Sequence, residues 1–271
     1  MNRNKTGQCH LCGNITSLTY EHVPPRKAFN SNKAFMYYGR DVIGCNNFPW
    51  DFSGLKANQQ QRGIGYYTLC GKCNNDTGAW YGDAFVGFIH KGYQAIYDNN
   101  FLSLGQDELK ITLPDIYPLR ILKQIITMFF SINSPNLSAV HPDLRALVLS
   151  KDKKGISPKT YGIYLYVLKG TIARHIGLAG IIHIPTGEIR VLSELSAPPF
   201  GFVLEINPKD KHAYCDVTFF ANKFGYNEKR TITLNIPVHE SNTYFPADYR
   251  TKRQVISGYI QNKFQEIQNA E

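Results

Sequence analysis

Apolar residues return at three- and four-residue steps through Trp80, Tyr81, Phe85, Phe88, Ile89, Tyr93 and Ile96, which predicts an amphipathic helix over 76–97. Asn74, Asn75 and Asp76 are natural caps for its start. A polar connection begins at Asp98-Asn99-Asn100, and Leu113-Pro114-Asp115 opens a second helix whose Ile121, Leu122, Ile125, Ile126, Phe129 and Phe130 form one broad apolar face. That helix is expected to be buried and to end near Asn133-Ser134-Pro135, with a shorter one from His141-Pro142-Asp143 to about Ser150.

From Tyr161 the texture changes to short apolar runs between turns. Strands are expected over 161–168, 180–184, 188–192, 200–206, 215–220 and 230–234, with Pro185-Thr186-Gly187 as a hairpin turn. The tail places Val255, Ile256, Tyr259, Ile260, Phe264 and Ile267 on one helical stripe. Near the start, Leu18-Thr19-Tyr20-Glu21-His22 is a β-like run broken by Pro24 and Pro25, so His22 sits at a strand-to-loop junction. Tyr66 and Tyr67 alternate as in a strand and fill an apolar face. The expected class is α+β, with a small N-terminal unit at 1–98 and a mixed α+β unit with a largely antiparallel sheet at 110–271.

Composition narrows this little. The 271 residues are 43% hydrophobic, enough for a packed core, which excludes a disordered chain. Lys and Arg number 30 against 21 Asp and Glu, a net charge of +9 that favours a polyanionic partner, but the excess is spread along the chain. Met1-Asn2-Arg3-Asn4-Lys5 lacks the apolar stretch of a signal peptide, and the apolar run at 121–130 is interrupted by Lys123 and Gln124. A soluble, cytoplasmic protein without membrane contact is expected.

Cysteine placement changes the picture most. Four of six cysteines form two Cys-x-x-Cys pairs, Cys9/Cys12 and Cys70/Cys73, the spacing of a tetrahedral thiolate zinc site. Gly13 and Gly71 ease the turns that aim the sulfurs at one point. Cys45, inside the long insertion between the pairs, is a surface thiol or a substitute ligand, and Cys215 stands alone. A zinc clamping the pairs brings Glu21-His22 toward Asn74. Carboxylate and amide oxygens suit a hard divalent ion, and a neutral imidazole beside it can take a proton from water, a combination suited to phosphodiester hydrolysis.

This order of elements resembles the HNH, or ββα-metal, endonucleases with a four-cysteine zinc: Cys9 and Cys12, then Glu21-His22-Val23-Pro24-Pro25, then Cys70 and Cys73 followed at once by Asn74. The likeness covers about the first 95 residues, with an inserted loop at about 27–65. It implies His22 as general base, Glu21 and Asn74 (with Asn75 in reserve) as ligands of one catalytic Mg²⁺ or Mn²⁺, and a structural zinc on the four cysteines. Glu21 stands where the family more often has Asp, and Asn74 where it more often has His. For the family's middle asparagine, which braces the base-bearing loop, Asn58 is the choice, ahead of Asn46 and Asn47. Arg26, Lys27, Arg62 and Lys72 are candidate phosphate contacts.

The implied partner is nucleic acid, DNA ahead of RNA, and a phage-defence setting suits a small nuclease joined to a recognition unit. A non-catalytic zinc module that binds nucleic acid or protein is the alternative. The second unit has no nucleophile motif, and its role is open among DNA binding, ligand sensing, homodimerisation and contact with a partner protein.

Overall fold

A computed structural model describes residues 5–45, 47–98, 105–170, 172–183, 187–209 and 214–268. Either side of the first cysteine pair the chain makes an antiparallel hairpin, β1 (Lys5–Gln8) and β2 (Ile15–His22), turning at Gly13 with a φ of 83° that suits glycine. The insertion follows, holding β3 (Ala34–Met36), the short helix α1 (Gly39–Ile43) and β4 (Asn58–Gln60), which pairs with β3. The chain returns as β5 (Gly65–Cys70), antiparallel to β2.

Helix α2 (Gly71–Thr77), a π-helical turn (Gly78–Gly82) and α3 (Asp83–Asp98) then run end to end. The helix therefore starts before the expected residue 76, and its cap is Cys70, whose sulfur accepts the Cys73 N–H. Asn74, Asn75 and Asp76 lie inside the helix instead of capping it. Asn99 and Asn100 of the expected connection lie outside the described residues.

A second correction concerns β6 (Glu108–Ile116), where a helix was expected to open. Leu109, Ile111 and Leu113 are buried at every second position, and an edge place in the sheet tolerates Pro114. The helix itself, α4 (Pro118–Ile132), begins at Pro118 and is buried nearly all round. Even Lys123 is enclosed, its ammonium donating to the carbonyls of Ser150 and Lys151. Two short helices, α5 (Asn136–Val140) and α6 (Pro142–Val148), complete this layer.

The large sheet is built from β6, β7 (Tyr161–Gly170), β8 (His175–His183), β9 (Glu188–Ala197), β10 (Phe200–Ile206), β11 (Cys215–Asp216) and, after the short helix α7 (Phe219–Lys223), β12 (Arg230–Ser241). Its order is β6-β12-β7-β10-β9-β8, with β11 on β7. The β12 and β7 pairing is parallel and the others are antiparallel. The expected hairpin is present, with His183 opposite Glu188, although Pro185 and Thr186 of its turn lie outside the described residues. The strand expected over 215–220 stops at Asp216, whose carboxylate accepts the Thr218 N–H and turns the chain into α7. On the last helix, α8 (Lys252–Gln268), Val255 is buried while Ile256, Tyr259 and Ile260 stay exposed.

One apolar cluster runs from Cys9, Leu11 and Leu69 through Tyr81, Phe85 and α4 to Phe200 and Phe202, so the two sequence units share a core. Helix α3 approaches β10 so closely that a Cβ on Gly92 would lie 2.3 Å from the Phe200 ring. No helix among the described residues is long and apolar enough to cross a membrane.

Candidate functional site

The knuckles converge. One sulfur from each of Cys9, Cys12, Cys70 and Cys73 lies within 4.8 Å of the others, and Cys12 and Cys70 are 4.0 Å apart. Tetrahedral thiolates about 2.3 Å from a central ion are about 3.8 Å from one another, so the cluster is dimensioned to hold a metal ion. Cys45 is not part of it.

Local geometry explains the convergence. The Cys9 sulfur accepts the Cys70 N–H and the Cys70 sulfur accepts the Cys73 N–H, so the turn of the second pair presents amides to a sulfur of each pair. The Cys73 thiol and the backbone amides of Cys12, Cys70 and Leu11 hold the Cys9 thiol below its ordinary range against the effect of burial, while the same interaction pushes Cys73 up. The first knuckle is held from both sides, because His10 N–H donates to Thr68 of β5 and Arg145 of α6 donates to the Cys12 carbonyl.

Strand β2 leads from this centre to Glu21 and His22, which project to opposite faces as successive strand residues must. His22 is half-buried, and its Nε2 lies 3.0 Å from the Arg62 carbonyl. A carbonyl can only accept, so Nε2 carries a proton, and in the neutral ring the lone pair falls on Nδ1. The Tyr20 ring stands edge-on to the imidazole at 5.1 Å and limits its rotation.

Glu21 faces inward and is 8% exposed. Its Oε1 accepts the hydroxyls of Thr68 on β5 and Ser131 on α4, whereas Oε2 takes no hydrogen bond among the described residues. Burial pushes the carboxyl up to about 7, against the two hydroxyls that favour its anion. Asn74 sits beside the same strand, its amide donating to the Thr19 hydroxyl at 3.1 Å and the Tyr20 carbonyl at 3.3 Å. With that nitrogen committed, its oxygen is the group left to meet a ligand. Asn75 is exposed on another side of α2, so helix register separates it from Glu21.

The loop after His22 is braced by an asparagine, and it is Asn30. Its amide donates to the carbonyls of Pro24 and Ile64 and its oxygen accepts the Ile64 N–H, all at 2.7 Å. Gly63 permits this, because a Cβ there would lie 2.0 Å from the Asn30 carbonyl oxygen. Asn58 instead lies exposed in β4, 3.5 Å from the Tyr38 hydroxyl, and Asn47 bonds to Asp51 and Ser53 within the insertion. Asn46 lies outside the described residues. Arg26, Lys27 and Arg62 are exposed, with no ion pair among the described residues, whereas Lys72 is paired with Asp76 one turn along α2.

Sequence reasoning missed Asn30, Thr68 and Ser131. Asn30 carries a weak signal as a polar residue close to the Pro-Pro break, and Ser131 carries none. Among the described residues the four cysteines are the one group of three or more His, Cys, Asp or Glu side chains placed to share a metal. No family model, curated protein or solved structure matches this chain, so the likeness to HNH enzymes rests on the residues just described.

Proposed function

We propose that this protein is a metal-dependent HNH-type endonuclease that hydrolyses phosphodiester bonds in nucleic acid, DNA ahead of RNA. The observation that carries the reading is the set of His22: its Nε2 meets the Arg62 carbonyl and the Tyr20 ring stands edge-on to it, an arrangement that in the neutral ring leaves the lone pair on Nδ1. A neutral imidazole fixed in that tautomer is suited to take a proton from an attacking water. The brace at Asn30 keeps the loop that follows it in place.

Four protein thiolates with no open position suit a structural zinc, whose work is to hold β2 against the start of α2. Glu21 through Oε2 and Asn74 through its amide oxygen are the residues that would hold a catalytic Mg²⁺ or Mn²⁺, and both are hard oxygen donors. Bound there, such an ion supplies positive charge for phosphate oxygens and the leaving oxygen. Arg26, Lys27 and Arg62 add diffuse attraction for phosphates around the loop.

The cap of Ser131 on Glu21 favours a second reading, a zinc-stapled adaptor that binds without cleaving. Incubating wild type and His22→Ala with supercoiled plasmid and with RNA, in Mg²⁺, Mn²⁺ or EDTA, separates the two. The expected result is metal-dependent nicking by wild type and a loss of about 10²- to 10⁴-fold in His22→Ala at unchanged melting temperature. Absence of metal-dependent cleavage of either substrate by wild type would overturn the enzyme and leave the adaptor.

A further inference from the structure

Helix α3 buries Phe85, Phe88, Ile89 and Ile96 and leaves His90, Tyr93 and Tyr97 on its outer face. The spacing of three and four residues puts those rings in a row. Tyr93 is 45% and Tyr97 69% exposed, and their rings stack at 6.2 Å with planes 15° apart. Phe29 extends the row from the loop that follows His22. Its ring, 47% exposed, stacks on His90 at 4.8 Å and meets Tyr93 at 5.1 Å.

Two features set this row apart from scattered surface aromatics. Phe29 has a φ of 60°, a conformation that is strained for a bulky residue, and the strain is spent on holding an apolar ring at the surface. The His90 Nε2–H also donates to the Lys27 carbonyl, which ties the loop to the helix. Arg26 and Lys27, just before Phe29, are exposed and form no ion pair among the described residues. Flat rings in file with cations at one end are complementary to bases that stack and phosphates that pair. A duplex keeps its base faces in its own stack and cannot offer them.

We propose that the row Phe29, Tyr93 and Tyr97 is a docking track for single-stranded nucleic acid, with Arg26 and Lys27 on its backbone, and that it leads the strand to the His22 loop. The proposal rests on the reading of the His22 site as one that acts on nucleic acid, and it names the form of that substrate.

The test is anisotropy titration of a labelled oligothymidylate and of a mixed-sequence duplex of equal length. The full-length His22→Ala protein serves as parent, so that no probe is cut. The parent binds the single strand at least about tenfold more tightly than the duplex, and Tyr93→Ala/Tyr97→Ala weakens single-strand binding about tenfold or more. Tyr93→Phe/Tyr97→Phe keeps the affinity, because the ring and not the hydroxyl makes the stack. Unchanged affinity in the alanine pair, equal loss in the phenylalanine pair, or preference for the duplex overturns the track. Wild-type cleavage that is indifferent to the alanine pair removes the track alone. Tyrosine-dependent binding with no wild-type cleavage removes the hydrolase alone.

Discussion

Cys73→Ser is expected to leave the protein unable to hold its N-terminal region folded. Cys73 is buried in the first turn of α2, inside the same apolar cluster as Leu11 and Leu69, so the four-cysteine cluster that could hold a metal is joined to the core. Structural zinc contributes apparent free energies of about 10–16 kcal/mol in small domains, and a typical whole domain is stable by only about 5–15 kcal/mol. Even a fraction of that loss is comparable with the whole stability of a typical domain. Limited proteolysis and thermal unfolding check the outcome. Cleavage should begin between β1 and β5, and the melting transition should fall by tens of degrees or broaden. Cys45→Ser, outside the cluster, is the matched control and should behave as wild type. A Cys73→Ser protein that melts with the control would refute the structural role of the centre.

Acid should loosen the seam between the two halves through His175. This residue opens β8, is half-buried with its Nε2 shut away from solvent and without a partner among the described residues, and shares a 2.8 Å hydrogen bond through Nδ1 with the Tyr66 hydroxyl of β5. Burial alone pushes its pKa from the ordinary 6.5 down to about 4, because a second N–H and a charge would have neither water nor acceptor. The unfolded chain takes up the proton below about 6.5 and the folded chain resists until about 4. The stabilisation is therefore complete above 6.5 and is lost as pH falls through that window, reaching about 3 kcal/mol. His175→Gln keeps an acceptor for Tyr66 and does not titrate. Its melting temperature should fall roughly 5–10 °C less than that of wild type between pH 7 and 4.5. Loss of thiolate-bound metal at low pH affects both proteins and cancels in the comparison. Parallel curves for the two would contradict the assignment.

The parts of this molecule that were legible in its sequence are those whose cause is local. The apolar faces of α3 and α4 repeat at the helical period, β7 and β10 are near-continuous apolar runs of strand length, and the two cysteine pairs carry their spacing in the sequence itself. Misplaced elements have local causes that compete. Pro114 and Pro118 both resemble helix openers, and the alternation of Leu109, Ile111 and Leu113 assigns Pro114 to an edge strand. The start of α2 was hidden because a cysteine sulfur, not an Asn or Asp oxygen, caps it.

What could not be read are contacts between distant residues. Asn30 meets Ile64 and Glu21 meets Ser131 across 34 and 110 positions, and neither partner announces the other. Ser131 lies on a helix whose buried positions are mostly apolar, so nothing in its neighbourhood marks it as the group that covers a carboxylate.

The proposed reading depends on the sulfur centre holding β2, the strand that carries Glu21 and His22, against the start of α2, and that dependence is open to one direct measurement. X-ray absorption at the zinc edge on the full-length protein, with metal content determined on the same sample, reads both occupancy and ligand type. The account predicts one zinc per chain with four sulfur neighbours at about 2.3 Å. A metal content well below one per chain, or a shell containing nitrogen or oxygen in place of any of the four sulfurs, would contradict it.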